Sequence, residues 1–66
     1  MNTKIEERIN FLEKEVETLR EMLRIINHEI LYNNLVVGNL GQLQINYICM
    51  SGRNKLEEIK SLKELL

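Results

Sequence analysis

Apolar residues recur in the first half of the chain at Ile5, Ile9, Leu12, Val16, Leu19, Leu23, Ile26 and Ile30. The steps alternate between four and three without a miss. That spacing keeps one stripe of an α-helix turned toward a facing helix. With Ile9, Val16, Leu23 and Ile30 at the a positions, Ile5, Leu12, Leu19 and Ile26 fall at d, which makes a heptad seam. Thr3-Lys4-Ile5-Glu6 fits a capping box in front of it, with the Thr3 hydroxyl and the Glu6 carboxylate each reaching the other's backbone N–H. The pattern predicts one long helix from about residue 3 to residue 37. From Met22 onward the apolar surface widens: Ile25, Leu31, Tyr32, Leu35 and Val36 lie off the seam. A helix apolar on several sides needs more than one packing partner.

The middle of the chain reads two ways. Gly38 and Gly41 each cost about 1 kcal/mol inside a helix relative to Ala. Gly38 suits the left-handed residue that follows a helix C-terminus, so a turn is expected over residues 38–41. Leu43-Gln44-Ile45-Asn46-Tyr47 then alternates apolar and polar, a strand signal. A helical reading of the same region puts Ile45, Cys49, Gly52, Leu56, Ile59, Leu62 and Leu66 on one stripe to the C-terminus and accounts for more residues. The expected fold is therefore all-α and a single domain over residues 1–66: a long N-terminal coiled-coil helix folded back as a helical hairpin, in an oligomeric bundle. The second arm covers 42–66, and Ser51-Gly52-Arg53-Asn54 offers a break, with Asn54 as N-cap and Glu57 completing its box. The alternative is a long helix, a short β segment around 42–49 and a C-terminal helix. The longer first arm is expected to project its N-terminal turns as a free seam.

Composition sharpens this picture. Sixty-six residues with nine Lys or Arg and ten acidic residues give a net charge of −1. A chain this short buries only about 60% of the surface its unfolded form exposes and needs a staple. Cys49 stands alone, so no disulfide forms within the chain, and one Cys with one His gives no metal-ligand spacing. No metal and no cofactor are expected. Oligomerisation remains, so the first partner is the chain itself, as a dimer or higher oligomer joined along the Ile5–Ile30 seam. In a parallel pair Arg8 would face Glu13 and Glu15 would face Arg20, a bias of roughly 0.2–1 kcal/mol per pair.

Charge is partitioned as well. Residues 2–24 and 53–66 are dense in charge, whereas 25–52 carry only Glu29. The near-zero total argues against nucleic-acid binding by bulk electrostatics, and Arg53, Lys55, Lys60 and Lys63 are interleaved with Glu57, Glu58 and Glu64. The uncharged run from Ile30 to Gly52 is too rich in Asn and Gln for a membrane span. A lone Cys and an N-terminus without an apolar signal core suit the cytoplasm.

Candidate chemistry is sparse. His28 and Glu29 are adjacent and point about 100° apart on a helix, and Cys49 between Ile48 and Met50 reads as a small buried hydrophobe. No catalytic residue is expected, and the chain is not read as an enzyme. Asn33 falls where the next d residue is due; it either fixes register or marks the end of the seam. The expected function is a small homo-oligomeric interaction module, an adaptor, regulator or inhibitor of a partner protein. A wide apolar patch of Ile25, Tyr32, Val36, Leu40 and Tyr47 would complete a bundle or receive that partner. The alternatives are an oligomeric bundle that binds a small polar ligand such as a nucleotide through Asn, Gln and Tyr, and a dimeric hairpin that binds nucleic acid weakly.

Overall fold

The computed structural model describes residues 3–66, which form two helices packed against each other as a hairpin: α1, Thr3–Tyr32, and α2, Asn39–Lys63. Residues 42–49 lie inside α2, so the helical reading of the middle holds and the β segment does not form. Residues 51–54 are also within α2, and the helix passes through them unbroken.

The connection differs from expectation. α1 stops at Tyr32 instead of continuing to 37, and α2 starts at Asn39, inside the stretch assigned to the turn. The cause is the Asn33-Asn34 pair. Asn34 takes φ 56°, the left-handed region that Asn tolerates better than most residues. The Glu29 carbonyl then accepts from the N–H groups of both Asn33 (3.0 Å) and Leu35 (3.1 Å), while the Asn33 side-chain amide donates to the Glu29 carboxylate at 2.8 Å. These bonds occupy carbonyl and side-chain groups at the end of α1. Asn33 therefore closes the seam and is not part of it. Gly38 is extended (φ −81°, ψ −177°) and acts as the N-cap of α2, its carbonyl accepting from Gln42 at 2.9 Å.

All eight seam residues of α1 are buried or half-buried, and they pack on α2 of the same chain. Their counterpart on α2 is Gly41, Ile45, Ile48, Gly52, Lys55, Ile59 and Leu62, each buried or half-buried. This stripe also steps by four and three. It departs from the expected one at Ile48 and Lys55, which replace Cys49 and Leu56. Cys49, Leu56 and Leu66 are exposed. Leu56 drew the expected stripe off by one residue because it is apolar; the position facing α1 is held by Lys55, which is half-buried. Long lysine stems commonly cover apolar surface in this way.

The core is small and lies away from the turn. Ile9, Leu12, Val16 and Ile59 are buried, with Leu12 only 1% exposed, and Ile5 and Leu62 pack against them. The N-terminal turns of α1 are thus covered by the end of α2 and do not project as a free seam. Arg8 donates to Glu58 across the same end, Nε to Oε2 at 2.9 Å.

Two substitutions test this packing. Leu12→Ala removes the most buried side chain and should cost about 2–5 kcal/mol in a denaturant titration; a loss under half of that would mean that Leu12 is not central. Gly52→Ala should do the opposite. A Cβ there meets only Leu19 Cδ1 at 3.9 Å, ordinary contact, and the helix gains about 1 kcal/mol in propensity. A lowered melting temperature would show that the helices approach more closely at Gly52 than described.

Candidate interaction surface

The two ends of the hairpin solve burial differently. The end that holds both termini is charged and contains the core. The turn end is neutral and leaves its apolar side chains in solvent. Each of the five residues of the expected patch is exposed: Ile25 and Tyr32 on α1, Val36 in the connection (89% exposed), and Leu40 and Tyr47 on α2. Within the helices, Ile25 and Tyr32 are seven residues apart on one face of α1, as are Leu40 and Tyr47 on α2.

Leu43 (64% exposed) and Met50 (62%) extend the α2 face beyond the expected patch. Their signal was present, since Leu40, Leu43, Tyr47 and Met50 step by three, four and three. By helical period this stripe lies roughly 150° around α2 from the side that packs on α1. From Gly38 to Gly52 no residue carries a charge.

The surface is not flat. Leu40, Leu43, Gln44, Tyr47 and Ile48 enclose an open concavity of about 440 Å³. A second, of about 220 Å³, lies under the connection among Ile26, Val36, Val37 and Ile45, and it shares Gln44 and Ile48 with the first. Polar groups near these walls are largely neutral amides, and the Gln42 amide donates to the Asn46 side-chain oxygen at 3.1 Å.

The remaining candidates for chemistry are dispersed. His28 packs on Tyr32 with ring centroids 4.7 Å apart. Glu29 is half-buried and holds Asn33. Cys49 is exposed, not buried as expected. The Arg8 guanidinium sits 5.6 Å from the centre of the Phe11 ring, and its hydrogen bond with Glu58 holds its pKa above the ordinary arginine value. Among the described residues no three His, Cys, Asp or Glu side chains converge as metal ligands, and no helix is long and apolar enough to cross a membrane.

Comparison with protein-family models, curated proteins and solved structures gives no match.

The position of Cys49 on the flank of α2 makes it a reporter. Its thiol in the native protein should react with a maleimide within a few-fold of the rate in denaturant. Protection by an order of magnitude or more would place the side chain inside a contact.

Proposed function

We propose that the protein is a small homo-oligomeric helical interaction module of the cytoplasm that acts on a partner protein as an adaptor, regulator or inhibitor. One observation carries the reading: the turn half, whose one formal charge is Glu29, exposes large apolar side chains on both helices and their connection, with two open concavities along α2 and under the connection. Large exposed apolar surface marks sites of association. The small core makes the same point from stability. Four buried side chains are few for an independent fold, and chains of this size usually gain what is missing from a copy or another staple. The exposed aromatic and aliphatic residues Tyr32 and Val36 are of the type that anchors interfaces, with Tyr enriched and charge depleted at interface centres.

Two measurements test the reading. Light scattering over a concentration series should show a mass above that of one chain at micromolar concentration; a folded monomer throughout would remove the homo-oligomer. Val36→Glu places a charge on the most exposed apolar residue outside both helices. It should leave helicity unchanged and abolish co-purification with the specific partner from the source cell. A partner retained at wild-type yield would remove this patch from the interaction.

A further inference from the structure

We infer that a second copy of this chain seats on the outward face of α2, pairing the Leu40–Leu43–Tyr47–Met50 stripes of two hairpins antiparallel about a twofold axis. This deepens the homo-oligomer reading by naming its surface. The Ile5–Ile30 seam already packs, buried or half-buried, on α2 within the chain.

Area makes the first argument. The chain exposes 5573 Å² and measures 50 × 19 × 13 Å. A compact monomer of 7.8 kDa would expose about 4,400 Å² by the usual scaling of surface with mass. The excess of roughly 1,200 Å² is larger than the ~800 Å² that each partner contributes to a standard stable interface. The hairpin is one helix thick, so the excess is shared among the outward faces of both helices, that of α2 among them.

The choice of face follows from charge. The outward apolar stripe of α1, with Phe11, Met22, Ile25 and Tyr32, is interrupted by Glu15 and Glu29. A twofold contact centred there would bring like charges toward each other. The α2 stripe is uncharged for its whole length and is bounded by Gly38 and Gly52. It can meet its own copy without repulsion, as an isologous interface requires.

Shape completes the argument. Leu40, Leu43, Gln44 and Tyr47 stand at i, i+3, i+4 and i+7 around the 440 Å³ concavity. That is the four-residue hole that receives one knob from a facing helix. Large side chains that can serve as knobs, Leu43, Tyr47 and Met50, stand on the same stripe, so one surface supplies both halves of the contact. The Cys49 side lies about 140° away around the helix and stays outside it.

Sedimentation equilibrium on the full chain provides the test. Wild-type protein should have twice the mass of one chain. The Leu43→Glu/Tyr47→Glu variant should have half the wild-type mass with unchanged helical circular dichroism, since both side chains already face solvent within the hairpin. A dimer that survives this variant overturns the α2 surface and leaves the homo-oligomer reading standing. A monomeric wild type overturns both, and would assign the stripe to a different protein or to none. Should the variant lose helicity, Gln44→Cys in a Cys49→Ser background decides by maleimide labelling. Its thiol should be protected at least tenfold as concentration rises through dimerisation, while Cys49 of the unaltered chain keeps its rate. Labelling at position 44 that is independent of concentration overturns the inference.

Discussion

The rest of the hairpin depends on one contact, the meeting of two apolar stripes that share a four–three step. On α1 the stripe is filled by branched residues from Ile5 to Ile30. On α2 it runs from Gly41 to Leu62 and contains two glycines and a lysine. Matching periods keep the stripes in register over the length of α2, as in a coiled coil. Unequal filling decides where the core forms. Ile59 and Leu62 give α2 bulk beside Ile5, Ile9, Leu12 and Val16, and there the packing is dense. Beside Gly52, a concavity of about 290 Å³ remains among Leu19, Leu23, Cys49 and Leu56.

How legible each part was in the sequence follows from which physical signal was alone and which had a competitor. The α1 seam has no miss and no rival reading, and all eight of its positions face inward. The hairpin and the helical nature of residues 42–49 also followed, because one continuous stripe outweighed a short alternation. The end of α1 did not. Gly38 is the stronger left-handed former, but the chain turns earlier, at Asn34, where the Asn33 amide and the Glu29 carboxylate can bond. Local side-chain bonding there outweighed glycine's freedom. The α2 face was read one residue off at two places for a different reason. Hydropathy counts Lys55 as polar, whereas its stem is long enough to lie along apolar surface with the amine in water.

The candidate surface was legible in part. Tyr32, Val36, Leu40 and Tyr47 stood out because they are large and lie off the seam, and each is exposed. Leu43 and Met50 did not, because the stripe on α2's outer face is visible only once the inner face is known. Rotating the inner stripe by one residue, from Cys49 to Ile48, changes which residues are outward. The functional surface is thus more sensitive to register than the fold is: the hairpin forms with either assignment, but the identity of its exposed face does not survive the slip.

The α1 seam already packs on α2 of its own chain, and this constrains how copies can associate. A direct pairing of two α1 seams, one replacing α2 on the other, would require the seam to leave its own α2. The two helices are joined by six residues, 33–38, and a short linker gives its ends an effective concentration in the millimolar range. A copy in solution at micromolar concentration competes with that at a disadvantage of about a thousandfold, roughly 4 kcal/mol. Exchange of α2 between chains could restore the same contacts, at the cost of opening the Asn33–Asn34 bend first. Association through faces that the hairpin leaves open carries no such penalty. The connection that packs the seam on the chain's own second helix therefore also leaves the neutral outer face of α2 open to solvent.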